Sequence, residues 1–197
     1  MTQTQTQGRL DFIEAYFRTL TDVIALLPRA ELAKAMEVLE DARAQGRRVF
    51  IAGNGGSAAT ASHMANDFVK GVAKGGGAGL QAISLADNVA LVTAIANDED
   101  YREVFAGQLD ALGRPGDVLI AISGSGNSPN IVRAVEVAQR LGIRTIGFLG
   151  MNGGKVATMT DVTVVVPSDD YGPIEDVHMA FDHLITAYLR RGVGTGR

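Results

Sequence analysis

No cysteine occurs anywhere in the 197 residues. That absence excludes disulfides, thiolate metal centres and a cysteine nucleophile, though it says little about compartment. A surplus of positive charge is missing too. The formal net charge is −4 and the pI is near 5.3, so there is no electrostatic case for nucleic acid as the main ligand. No apolar run approaches the ~20 residues needed to span a bilayer, and the polar opening, Met1 to Arg9, has no signal-peptide pattern. A soluble, cytoplasmic protein without a membrane partner is the expectation. Nucleotide signatures are lacking as well. The chain has no G-x-x-x-x-G-K-[ST], and neither of its glycine loops reads G-x-G-x-x-G, so no nucleotide cofactor is expected. Ser57 and Ser125 lack the G-x-S-x-G elbow of an esterase. Histidine is scarce, with three in the chain: His63, His178 and His183.

What remains is an ordinary globular composition, 46% hydrophobic and 20% charged, long enough to bury a real core. Two stretches stand out. The apolar run Arg48 to Ala52 ends abruptly in Gly53-Asn54-Gly55-Gly56-Ser57, and a helix-compatible segment follows from Ala58 to about Val72. A strand, a glycine turn and a helix together can hold an anion, because glycines let the backbone come close and the first N–H groups of the helix point at the ligand. Ser57 reads as the N-cap. The run Asp117 to Ile122 repeats the arrangement with Ser123-Gly124-Ser125-Gly126-Asn127-Ser128, then a helix from Pro129 to about Leu141. Proline suits a first helical position, which makes Ser128 the expected N-cap. Two such loops in one small domain fit one sugar phosphate better than two unrelated turns.

Thr2 to Gln7 reads as a frayed polar lead. Two amphipathic helices follow, one from Leu10 through Leu27 and one from Arg29 to about Gln45, ending at Gly46. No sheet has yet begun that could cover them, so they are expected to pack partly on another subunit. Ala73 to Gly79 reads as a mobile glycine-rich loop and Leu80 to Leu85 as a second strand. A helical segment from Asp87, broken near Asn97-Asp98, and another helix from Tyr101 to Leu112 come next. Strands at Ile143 to Leu149 and Val162 to Val166 precede a closing helix from Pro173 to about Arg190. The strands are short continuous apolar runs that alternate with helices, the pattern of a parallel sheet buried on both faces. In such sheets ligands bind beyond the carboxyl ends of the strands, where both polar loops lie. The expected fold is α/β: a five-stranded parallel sheet, helices on both faces, and one domain over 1–197 with a helical arm (1–46) and a core (47–197).

His63 and Asp67, four apart, share a helix face. On the last helix, at ~100° per residue, Glu175 and Asp182 nearly coincide while His178 and His183 lie about 140° apart. Spacing leaves open which histidine faces a site. Carboxylates and imidazoles beside a sugar-phosphate cradle suit proton abstraction next to a carbonyl through an enediol. The same groups suit a divalent metal such as zinc that polarises the carbonyl.

Taken together, G-N-G-G-S-A-A-x-A-x-H-M-A from Gly53, A-N-D from Ala96, I-S-G-S-G-N-S-P-N from Ile122 and E-D-V-H-x-x-x-D-H from Glu175 resemble the sugar isomerase (SIS) domain. The chain is most similar in pattern to its phosphoheptose isomerase branch, and the resemblance covers nearly all of it. It implies a flavodoxin-like sheet, a homotetramer with active sites shared between subunits, bound zinc, and interconversion of sedoheptulose 7-phosphate with D-glycero-D-manno-heptose 7-phosphate. Carried over by motif, Asn54, Gly55, Gly56, Ser57, Ser123, Gly124, Ser125 and Ser128 would hold the substrate, with Asn97 and Asp98 beside them. His63 falls on a metal-ligand histidine and Asp67 on a glutamate that is ligand and base. Glu175 falls on a glutamine that touches substrate and metal, and His183 on a catalytic, metal-binding histidine.

This chain departs from the family pattern at three places. Asp67 is one methylene shorter than the usual glutamate, which moves its carboxylate by about one bond length. Glu175 puts a charge where the family has a neutral amide, which favours a metal. The arginine common just after the base is missing, with Lys70 or Lys74 as replacements. These changes bear on the identity of the phosphosugar more than on the reaction type. The contrasting reading is a non-catalytic SIS protein, either a sugar-phosphate sensor or an associate of the replication initiator. Retention of His63, Asp67, Glu175 and His183 favours the enzyme.

Overall fold

A computed structural model describes residues 3–74 and 77–191. Helix α1 (Gln3–Ala25) and helix α2 (Arg29–Ala44) lead into strand β1 (Arg48–Ala52), helix α3 (Gly56–Asn66) and a π-helical turn, Asp67–Gly71. Strand β2 (Gln81–Ser84), helix α4 (Val89–Asp98), a 3-10 turn at Tyr101–Glu103 and helix α5 (Ala106–Leu112) come next. Strand β3 (Val118–Ser123), helix α6 (Pro129–Arg140), strand β4 (Arg144–Leu149), strand β5 (Val162–Val165) and helix α7 (Tyr171–Arg190) complete the order.

All strand pairings are parallel, in the order β2-β1-β3-β4-β5. Alternation along each strand sorts side chains to opposite faces. Val49, Ile51, Val118, Ile120 and Ile146 pack with α2, α3 and α7, while Phe50, Ala52, Leu119 and Ala121 pack with α5 and α6. Both faces are therefore covered, as a parallel sheet requires. The order reverses between β1 and β3, and at such a switch point the loops leaving the two strands part to form a crevice. Register pairs Ala52 with Ala121, so Gly53–Ser57 and Ser123–Ser128 emerge side by side.

Several boundaries differ from expectation. The polar lead is helical from Gln3, since glutamine is a good helix former and Gln7 donates to Asp11 one turn on (2.8 Å). Helix α3 starts at Gly56 with Gly55 (φ +55°) as its N-cap, so Ser57 is not the cap but lies inside the first turn. The segment from Tyr101 splits, because Asp100 caps a separate short turn through the Arg102 N–H (2.6 Å). Helix α7 begins two residues before Pro173, capped by Asp170 on the Gly172 N–H (3.1 Å). Of the expected glycine loop, Gly75 and Gly76 lie outside the described residues.

Two helices keep apolar faces open. In α1, Phe12 is 72% and Phe17 61% exposed. Helix α4 buries none of its residues, although Val89, Leu91, Val92 and Ile95 are all apolar.

Candidate active site

Asn54 and Asn130 tie the two loops together by exchanging side-chain amide hydrogen bonds of 2.9 and 2.8 Å. The Tyr101 hydroxyl donates a further bond to Asn54 Oδ1 (3.0 Å). Beneath them lies a cavity of about 180 Å³ lined by Asn54, Ser57, Ser123, Gly124, Ser125, Ser128, Tyr171 and Glu175. In the second loop the Gly126 N–H donates to Ser123 Oγ (3.1 Å), and Gly126 adopts φ +62°. Ser128 is the N-cap of α6, with Pro129 as the first helical residue, but its side chain makes no cap hydrogen bond. That hydroxyl borders the cavity.

The first loop is different. Glu175 rests its carboxylate on Gly56, so closely that a Cβ there would collide with it. A negative charge thus already sits at the positive end of α3. The loop that can cradle a phosphate is the second one, Ser123–Ser128, with Asn54 and Ser57 forming the opposite wall.

A second group of side chains lies farther along the same two helices. His63 on α3, Asp67 at the start of the π-helical turn, and Asp182 and His183 on α7 bring one ligand atom each within 4.8 Å of one another. His63 Nε2 stands 3.3 Å from His183 Nε2, 3.8 Å from Asp67 Oδ2 and 3.7 Å from Asp182 Oδ2. The two rings meet edge to face at 5.2 Å. Asp182 is fully buried; Oδ1 accepts from the Thr186 hydroxyl (3.3 Å), while Oδ2 has no hydrogen-bond partner. Burial, then the Asp67 charge, push its carboxyl up to about 6.

This donor set fits a metal. A tetrahedral ion with bonds of ~2.0–2.1 Å spaces its ligands by about 3.4 Å, close to the separations found here, and two imidazoles with two carboxylates suit zinc. The unpartnered Asp182 oxygen is the observation that favours a cation.

Of the residues expected at the site, Asn54, Ser57, Ser123, Gly124, Ser125, Ser128 and Glu175 line the cavity, while Gly55 caps α3 and Gly56 meets the Glu175 carboxylate without lining it. His63, Asp67 and His183 meet in the His/Asp group. Glu175, also expected as a metal ligand, is not in that group within the chain; Asp182 is. Asn97 and Asp98 do not line the cavity either, but sit exposed at the end of α4, hydrogen-bonded to each other (2.8 Å). Lys70 lines a separate groove with Asn66, Ile83 and Leu91, whereas the Arg190 guanidinium and the Asp67 carboxyl both border Gly71. His178 belongs to the core: its Nε2 lies 3.2 Å from the Leu149 carbonyl, between Phe148 and Phe181, and burial pushes it down to about 4. Sequence reasoning missed Tyr101, Asn130 and Tyr171 as well as the role of Asp182. Asn130 carried a signal as the last residue of the serine motif, and Asp182 as the aspartate of E-D-V-H-x-x-x-D-H on the same side of its helix as Glu175; Tyr101 and Tyr171 carried none.

Comparison with known proteins agrees with this geometry. The SIS domain model matches residues 11–150. A phosphoheptose isomerase of Geotalea daltonii is 41% identical over 161 residues, which span 82% of this chain and 83% of the relative. The solved phosphoheptose isomerase of Neisseria gonorrhoeae superposes with a TM-score of 0.83 at 32% identity, covering 95% of this chain and 98% of that one. The one from Francisella tularensis gives 0.87 at 30%, covering 93% and 99%.

Proposed function

Because the chain belongs to the SIS-domain family, and within it to the phosphoheptose isomerases, we propose that it interconverts the ketose sedoheptulose 7-phosphate and the aldose D-glycero-D-manno-heptose 7-phosphate. The reaction class is aldose–ketose isomerisation. The phosphate sits on Ser123, Gly124, Ser125 and Ser128, where hydroxyls and the first turn of α6 meet it. The carbonyl end reaches the His/Asp group.

One observation carries this reading: the serine cavity, walled on one side by Ser57 of α3 and Glu175 of α7, and the His/Asp group lie at two levels of that helix pair. Glu175 and Asp182 are seven residues apart on α7, which is about 10 Å of helix. An extended seven-carbon chain with a terminal phosphate reaches on the order of 10 Å at ordinary bond lengths.

Asp67 accepts the C1 proton of the ketose while His183 gives a proton to the C2 oxygen, and an enediol results. The proton held by Asp67 returns at C2 as the O1 hydroxyl proton passes to the deprotonated His183, so the aldose forms and both groups regain their starting states. This is general acid–base chemistry by groups positioned within one cluster. Held by His63, Asp67 and His183, a divalent cation such as zinc would supply polarisation of the carbonyl. Asn54, Ser57 and Glu175 meet the sugar hydroxyls between the two ends.

The active form is a homotetramer whose sites lie at subunit contacts. The open apolar faces of α1 and α4 support that, as does the placement of Asn97 and Asp98 away from the cavity of their own chain. The location is cytoplasmic, since a charged phosphosugar does not cross a bilayer unaided.

The test is turnover of sedoheptulose 7-phosphate by metal-stripped protein, with and without added zinc, beside His183→Ala. Zinc-dependent turnover lost in the variant is expected. Absence of both turnover and binding of that sugar phosphate would overturn the heptose reading.

A further inference from the structure

The contacts of α3 and the π-helical turn that continues it with α7 fall in three successive levels. Gly56 meets Glu175, His63 meets Asp182 and His183, and Gly71 meets Thr186 and Arg190. Residue numbers rise together on both sides, so the two helices run parallel. The step from Gly56 to His63 is seven residues, as is the step from Glu175 to Asp182. Each is about 10 Å of axial rise. Glu175 therefore stands a full two turns from the His/Asp group on both helices, with its carboxylate spent on the first turn of α3.

Asp182 has the opposite surroundings. It is fully buried, as are Phe181 and Ile185 beside it on the same helix. A carboxylate in such a place is costly unless it is paired. One of its oxygens has the Thr186 hydroxyl; the other has no hydrogen-bond partner and is aimed at His63.

From this juxtaposition we infer that Asp182, and not Glu175, completes the metal set with His63, Asp67 and His183, and that Glu175 serves the substrate alone. The inference rests on the metal reading given above and assigns its fourth ligand. Two aspartates would balance the charge of a divalent cation, and all four ligands would come from a single chain. The cation in turn gives the buried Asp182 oxygen the partner it lacks.

Zinc alone is the probe. Metal-stripped full-length wild type, Asp182→Asn and Glu175→Gln are titrated with zinc by calorimetry, bound metal is counted by elemental analysis, and the zinc-induced rise in melting temperature is recorded. Glu175→Gln is expected to bind zinc within about twofold of wild type while its KM for the sugar phosphate changes. Asp182→Asn is expected to bind at least tenfold more weakly and to lose the melting shift. If Asp182→Asn does not fold, Asp182→Ala carries the same expectation, because it removes the ligand oxygens without adding volume or a polar group to bury. Zinc binding weakened by Glu175→Gln but untouched by Asp182→Asn would overturn the assignment while leaving the isomerase reading intact. Wild type that binds no zinc would also overturn it. Zinc bound through Asp182 without turnover would uphold the assignment and count against the isomerase instead.

Discussion

His178 and Asp182 lie one turn apart on α7, both buried, and their protons pull stability in opposite directions. His178 is pushed down to about 4 by burial. The folded chain keeps it neutral while the unfolded chain protonates it below about 6.5. Its contribution is therefore whole above pH 6.5 and is lost as pH falls towards 4, on the order of 3 kcal/mol across the window. Asp182 is pushed up to about 6, so the folded chain holds a proton there that the unfolded chain releases above 3.8. Its contribution is whole below 3.8 and is lost as pH rises through 6. Between pH 4 and 6 the two nearly offset each other. Denaturation of metal-free protein over this range should show a shallow pH dependence. His178→Gln should make the protein relatively more stable towards pH 4, and Asp182→Asn should tilt it the other way. Parallel profiles for the two variants would refute the opposition.

At the scale of elements, the start of α6 is where helix capping and ligand binding part company. An N-cap serine changed to alanine ordinarily costs ~1 kcal/mol through its lost cap bond. Ser128 makes no such bond, so Ser128→Ala should leave urea stability almost unchanged. A hydrogen bond to a charged phosphate is worth about 1.5–3 kcal/mol, so KM for the sugar phosphate should rise by roughly tenfold or more. A large loss of stability with an unchanged KM would return Ser128 to a purely structural role. The two glycine loops were legible because each stands between a buried-strand run and a helical pattern, and parallel topology puts such loops at one end of the sheet. Periodicity was less informative about α7. It set Glu175 and Asp182 at nearly the same angle around the helix, which is correct, but an angle does not say at what height each meets α3. Only the packed pair separates the serine cavity from the His/Asp group. The start of α3 was hidden in another way, since the positive φ of Gly55 is a property of the folded turn and no neighbouring residue type announces it.

For the whole molecule, the unburied faces of α1 and α4 decide the prediction. Phe12 and Phe17 are large apolar side chains left mostly in water, and patches of that kind mark interaction surfaces. Light scattering should give a particle near four times the 20.7 kDa chain mass. Phe12→Asp with Phe17→Asp should reduce it while far-ultraviolet dichroism keeps its helical shape; a wild-type monomer would sink the tetramer. That these helices look like buried ones in sequence and yet stand open has a simple cause: periodicity reports that a face needs cover and is silent about which chain supplies it. The two histidines of the His/Asp group are separated by 120 positions along the chain and meet at 3.3 Å. During synthesis from the N-terminus, the whole sheet and both polar loops leave the ribosome before His183 does. A product ending short of α7 would hold the Ser123–Ser128 loop and His63 with no opposing imidazole, and translation has to run through α7 before a single turnover becomes possible.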